Sequence, residues 1–123
     1  MSNATHSIGG WSHAIIDYVI VALMLLGPSV AGFAGRQATW MYVFGVVLLV
    51  TSLLTRYPLG AMKAIAFPAH GAIETILGLL LLILPWMAEF ARGIKSRNFY
   101  VAMGVMLLLV AALTDYRGRR VAR

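Results

Sequence analysis

Four long apolar stretches occupy most of this chain, and they constrain its fold more than any other feature. They run from Ala14 to Phe33, Trp40 to Leu54, Ala69 to Trp86 and Phe99 to Leu113. A helix needs roughly 20 apolar residues, with a lower limit near 17, to cross the hydrocarbon core of a bilayer. The first and third stretches reach that length alone, and the second and fourth reach it with their flanks, 39–55 and 98–114. We therefore expect four membrane-spanning helices.

The composition also favours a lipid bilayer as the solvent. Of the 123 residues, 61% are hydrophobic and 11% are charged, whereas a soluble domain usually has about a quarter of its residues charged. Four crossings use nearly the whole chain, so we expect a single membrane domain over residues 1–123. We expect the first stretch to be a retained helix, because residues 1–10 lack the basic residues that open a signal peptide.

The two halves of the chain resemble each other. At an offset of 57 residues, which becomes 59 after a two-residue insertion, the matched pairs include His13 with His70, Asp17 with Glu74, Pro28 with Pro85, Gly45 with Gly104 and Tyr57 with Tyr116. Matches of His, Pro, Gly and Tyr are harder to obtain by chance than matches of Leu in so apolar a sequence. The pattern predicts tandem repeats over about 11–57 and about 68–116, followed by a basic tail at 117–123.

Each predicted repeat contains two helices, so both repeats enter the membrane in the same direction. Such repeats are related by an axis along the membrane normal. The sequence therefore predicts an all-α, integral membrane four-helix bundle in which the first and third helices run parallel, as do the second and fourth.

The polar residues of both repeats are expected at one end of this bundle, where the first and third helices begin. The expected cluster contains His13, Asp17, His70, Glu74, Arg56, Asp115, Tyr57 and Tyr116. Each histidine precedes its carboxylate by four residues, so the two side chains share one face of a helix. A carboxylate inside the apolar boundary is disfavoured unless it is protonated or paired. We expect Arg56 to supply that charge, with Asp115 at the equivalent position of the second repeat.

Three interpretations of the cluster remain open. The first is a hydrogen-bonded polar layer, free of cofactors, with carboxylates neutralised by Arg56 and bonded to Thr and Tyr hydroxyls, in a non-enzymatic structural or binding module. The second is a small transporter or channel in which Asp17 and Glu74 titrate. The third is a haem or divalent metal site with His13 and His70 as ligands, in which the two carboxylates complete a set suited to zinc or iron.

Enzymatic chemistry has little support in the sequence. No Ser-His-Asp arrangement, Gly-rich phosphate loop or H-E-x-x-H motif is present. The formal charge of +6 does not indicate nucleic acid, because the basic residues flank the apolar stretches and form no basic face. The expected partners are the lipid bilayer and either a second copy of the chain or another membrane protein.

The first half contains the motif W-S-H-A-I-I-D, then a run rich in Leu, then L-G-P-S-V-A-G-F. This pattern resembles the SPW-repeat family of small bacterial integral membrane proteins, whose two-helix repeat has a Trp, a downstream Asp and a Ser-Pro-Trp at the far helix end. Trp11, Asp17 and Pro28 match that pattern, whereas Gly27 and Ser29 replace the residues that flank the proline.

The second half departs further from the family pattern. Glu74 replaces the Asp, the leading Trp is missing, and Leu84-Pro85-Trp86 stands in place of Ser-Pro-Trp. The resemblance implies a polytopic protein of the bacterial cytoplasmic membrane, and it supplies no catalytic residues for this chain.

We predict that both termini lie in the cytoplasm. The side with the termini has the basic residues Arg56, Lys63, Arg117, Arg119, Arg120 and Arg123, and the other side has Arg36, Arg92, Lys95 and Arg97. Because basic residues are enriched in cytoplasmic loops, a reporter fused after residue 123 should be active in the cytoplasm. A fusion after Gly93 should report the opposite side, and periplasmic activity of the fusion at residue 123 would contradict the prediction.

Overall fold

The computed structural model describes residues 8–114 and Tyr116, and this part of the chain forms four α-helices. They are α1 (Gly10–Ala31), α2 (Arg36–Leu53), α3 (Phe67–Met87) and α4 (Ile94–Leu113). All four are long and apolar enough to cross a membrane. The predicted all-α fold with four spans is confirmed. Asp115 and the predicted basic tail lie outside the described residues.

Prolines mark the far ends of the first and third helices. Pro28 lies in the last turn of α1, which ends where Gly32 adopts a left-handed conformation with φ 85° and donates its N–H to the Pro28 carbonyl. In α3 the N–H of Phe90 donates to the Pro85 carbonyl at 2.8 Å. Proline lacks an N–H and cannot continue the ladder from its own nitrogen, so both helices turn here into short links to α2 and α4.

Contacts at the two ends of the bundle establish the helix directions. At the far end, Arg36 at the start of α2 donates from Nη2 to the carbonyl of Ala88, just after α3, at 2.7 Å. At the end where α1 and α3 begin, which we call the near end, His13 and His70 lie in the second turns of these helices with ring centroids 5.4 Å apart. Therefore α1 and α3 run parallel, and α2 and α4 return in the opposite direction.

The interior faces of α1 and α3 use positions at the same spacing. Buried residues include His13, Asp17, Ile20, Met24 and Pro28 in α1, and His70, Glu74, Leu77, Leu81 and Pro85 in α3. The polar side chains among them occupy the near end, and the apolar ones fill the rest of the interior. Large apolar residues such as Val19, Leu26 and Ile76 are exposed on the outer faces, as lipid contact requires.

Glycines allow α3 and α4 to approach each other closely. A Cβ on Gly104 would lie 2.8 Å from the carbonyl oxygen of Gly78, so the two backbones are in direct contact. Small residues at such positions are typical of helix packing in membranes, where close van der Waals contact is a main source of association energy.

Short backbone pairings fix the segments that follow α2 and α4. The N–H of Ile65 donates to the Leu54 carbonyl at 2.6 Å, and the N–H of Ile8 donates to the Leu113 carbonyl at 3.0 Å. The first pairing holds the end of α2 beside the start of α3, and the second holds the end of α4 beside the start of α1. As a result Thr55 and Thr114 are both buried at the near end of the bundle.

Candidate functional site

Four ionisable side chains meet inside the near end of the bundle. One candidate ligand atom each from His13, Asp17, His70 and Glu74 lies within 4.8 Å of the other three. All four residues have 0% exposure. The predicted convergence of two His–carboxylate pairs on one buried cluster is confirmed. We call these four residues the His/carboxylate cluster.

Each carboxylate bridges both imidazoles. Oδ2 of Asp17 lies 2.7 Å from Nε2 of His70 and 3.0 Å from Nε2 of His13. Glu74 uses both oxygens, with Oε1 3.2 Å from Nε2 of His13 and Oε2 3.5 Å from Nε2 of His70. The two Nε2 atoms therefore face the carboxylates, and Asp17 makes the shorter contacts.

The other imidazole nitrogen of each histidine contacts a threonine of the opposite half of the chain. Nδ1 of His13 lies 2.6 Å from Oγ1 of Thr114, and Nδ1 of His70 lies 2.7 Å from Oγ1 of Thr55. These contacts join α1 to the end of α4 and α3 to the end of α2. They hold each ring so that its Nε2 points into the cluster.

The threonines also determine where the histidine protons lie. Oγ1 of Thr55 donates to the carbonyl of Thr51 at 2.6 Å, and Oγ1 of Thr114 donates to the carbonyl of Val110. A hydroxyl has one proton to donate, so each Oγ1 must accept from the histidine. Nδ1 is therefore the protonated nitrogen, and a neutral imidazole presents a bare Nε2 lone pair to the carboxylates.

Bare lone pairs cannot face carboxylates at these distances without a positive charge between them. Two ionised carboxylates have a combined charge of −2, which can be removed or balanced either by two further protons, on the imidazoles or the carboxyl groups, or by one divalent ion. Nε2 of His13, Oδ1 of Asp17 and both oxygens of Glu74 lack a hydrogen-bond partner among the described residues. Buried polar atoms without a partner are rare and often indicate a water or an ion.

Three aromatic rings cover the cluster on the side of the chain segments that follow α2 and α4. The ring of Phe67 lies edge-on to His13, with centroids 5.1 Å apart, and is 5.4 Å from Tyr57 and 4.7 Å from Tyr116. The hydroxyl of Tyr57 donates to Oδ2 of Asp17 at 3.1 Å. Burial raises the pKa of both Tyr57 and Tyr116 above the ordinary value, so both phenols keep their protons.

Arg56 is not part of the cluster, and the prediction that it neutralises the acids is wrong. Its side chain is exposed, and Nε donates to the carbonyl of Lys63 at 3.0 Å. The N–H of Tyr57 donates to the carbonyl of Thr55 at 2.9 Å, so the chain bends at Arg56. Thr55 and Tyr57 are buried on either side of this bend, whereas Arg56 is exposed. The predicted role of Asp115 lies outside the described residues.

Two features of the site were missed in the sequence. The hydroxyls of Thr55 and Thr114 were expected to bond to the carboxylates, but they accept hydrogen bonds from the histidines. The repeat pattern did not indicate that Phe67 covers the cluster, because the matching position in the first half, 57 residues earlier, is Gly10.

No protein-family model matches the sequence, and no similar chain is found among curated proteins or solved structures. The resemblance to SPW-repeat proteins therefore stays a prediction.

We predict that Thr55→Val destabilises the fold by about 1–3 kcal/mol, because it leaves the buried Nδ1–H of His70 without an acceptor. Arg56→Ala should change the free energy of unfolding by less than about 0.5 kcal/mol, as for other surface substitutions. Thr39→Val, which alters an exposed threonine of α2, is the matched control. Unfolding of the detergent-solubilised chain measures all three, and a larger loss for Arg56→Ala than for Thr55→Val would contradict this assignment.

Proposed function

We propose that this chain is a small integral membrane protein that binds one divalent transition-metal ion through the His/carboxylate cluster. Its two halves are tandem repeats, over about 11–57 and about 68–116, related by an axis along the membrane normal. Each repeat supplies one histidine and one carboxylate. The protein lies in the bacterial cytoplasmic membrane with both termini inside, and it acts as a binding module.

The observation that supports this proposal is the pair of Nε2 atoms held toward two carboxylates. The nitrogen–oxygen distances in the cluster run from 2.7 to 3.5 Å. Ligands bound tetrahedrally at about 2.0–2.1 Å from zinc lie roughly 3.3 Å from one another. The four candidate ligand atoms all lie within 4.8 Å of one another, so small side-chain movements would bring them around one ion.

The donor set favours particular metals. Imidazole nitrogen with carboxylate oxygen suits zinc, iron and manganese, whereas calcium and magnesium prefer oxygen ligands alone. The chain has no cysteine, so a thiolate site of the copper(I) type is excluded. The threonine acceptors on Nδ1 match the outer hydrogen bonds that usually orient metal-binding histidines.

A haem fits the cluster poorly. A porphyrin bound between His13 and His70 would need the plane between the two rings to be open. Asp17 and Glu74 lie in that space, each within 3.5 Å of both Nε2 atoms. A single ion uses these carboxylates as ligands, whereas a macrocycle would have to displace them.

Binding is also favoured over passage across the membrane. Beyond the cluster, the bundle interior is filled by apolar side chains with 0% exposure, namely Ile20, Met24, Met41, Leu48, Leu81 and Leu107. A path for ions or protons to the far side would have to cross this packed layer. The proposed ion is therefore held at one end of the bundle.

The protein purified without chelators should contain about one zinc, iron or manganese ion per chain. In cobalt(II) titrations it should develop the visible bands of a tetrahedral or five-coordinate site. Glu74→Gln should weaken cobalt binding by more than about a hundredfold, since loss even of an outer-shell partner costs 10–100-fold. Glu89→Gln, beyond α3 at the far end, is the matched control and should bind as the wild type does.

Absence of a bound metal would contradict the proposal. A folded chain that contains no metal and shows no cobalt bands would mean that two additional protons balance the carboxylates. The cluster would then be a hydrogen-bonded polar layer, and the proposed function would be wrong.

A further inference from the structure

The two carboxylates of the proposed metal centre are not equivalent. Oδ2 of Asp17 accepts a hydrogen bond from Tyr57 and lies within 3.0 Å of both Nε2 atoms. Glu74 lies 3.2 and 3.5 Å from the same nitrogens. Neither of its oxygens accepts a hydrogen bond from the residues that the structure describes. Glu74 therefore makes longer contacts with the imidazoles than Asp17 does, and its oxygens lack the hydrogen bond that Asp17 accepts.

Tyr116, the counterpart of Tyr57, packs against α3 about one turn before Glu74. Its ring centroid is 5.7 Å from that of His13, and its hydroxyl lies against Gly71, where a Cβ would be only 2.7 Å from Oη. Gly71 and Glu74 are three residues apart, so they lie on one face of α3. The Tyr116 hydroxyl is buried and has no hydrogen-bond partner in the described part of the chain.

Two sequence differences between the halves account for the asymmetry. Gly71 stands where the first half has Ala14, and the missing methyl group lets the Tyr116 ring approach the α3 backbone. Glu74 stands where the first half has Asp17, and its additional methylene places the carboxylate differently relative to the tyrosine. The contact that Tyr57 makes with Asp17 is thus not repeated, and two buried polar groups in the second half remain unpaired.

We infer, building on the proposed metal centre, that Tyr116 and Glu74 flank an exchangeable position on the ion that takes a small oxygen- or nitrogen-donor ligand, such as water or a small anion. A buried water typically makes about three hydrogen bonds or equivalent contacts. The ion, the Glu74 carboxylate and the Tyr116 hydroxyl supply three. The exchangeable ligand would be the fifth on the ion, beside the four protein donors, as in metal sites that expand from four to five ligands.

Azide is a suitable probe of this position. The 123-residue chain in lipid nanodiscs is loaded with cobalt(II), its cobalt content is measured, and azide is titrated while the visible spectrum is recorded. The wild type should show a saturable spectral change. Tyr116→Phe should keep its cobalt but bind azide about tenfold more weakly, because one hydrogen bond to the ligand is lost.

Two other tyrosines make the comparison specific. Tyr57→Phe should alter the cobalt affinity through Asp17 yet retain a saturable azide response. Tyr42→Phe, on an exposed position of α2, should match the wild type in both measurements.

The failures of the inference and of the proposed function can be told apart. A cobalt-loaded wild type whose spectrum ignores azide would overturn the exchangeable position and leave the metal centre intact. Wild-type azide affinity in Tyr116→Phe, or loss of its cobalt, would overturn the role of the Tyr116 hydroxyl. A wild type that binds no cobalt would overturn both.

Discussion

Two hydrogen bonds, from the Nδ1 atoms of His13 and His70 to threonine hydroxyls, determine the chemistry of this bundle. Each threonine uses its own proton on a helix carbonyl and can only accept from the histidine. The histidines are thereby fixed with Nε2 toward Asp17. Without these bonds the rings could rotate, and Nε2 would no longer be fixed toward the carboxylates.

The apolar membrane environment makes the charge balance of the cluster important. Carboxylates in a low-dielectric interior are strongly disfavoured unless a positive charge balances them, and Arg56 does not supply that charge. Aromatic rings cover the cluster on one side, and the bundle interior beyond it is filled by buried apolar residues such as Met24 and Leu48. One divalent ion would balance both carboxylates and use both lone pairs, and this is the basis of the proposed metal site.

Local sequence patterns predicted the four spans and the His/carboxylate cluster. Contacts between residues distant in sequence determined the direction of Arg56 and the position of the histidine protons. Apolar length identified the four helices, and the four-residue spacing placed His13 with Asp17 and His70 with Glu74. The outward direction of Arg56 depends on the bend after Thr55 and on the bond to the Lys63 carbonyl, and the sequence pattern did not predict either. Likewise, the proton position on each histidine depends on a threonine 15 or 101 residues away.

X-ray absorption at the edge of the bound metal tests the central claim most directly. The account predicts a shell of nitrogen and oxygen ligands at about 2.0–2.1 Å for zinc, with the multiple scattering of two imidazole rings. In His70→Ala, one imidazole should disappear from the spectrum. A first shell of oxygen alone, with no imidazole scattering in the wild type, would contradict the assignment of the His/carboxylate cluster as a metal site.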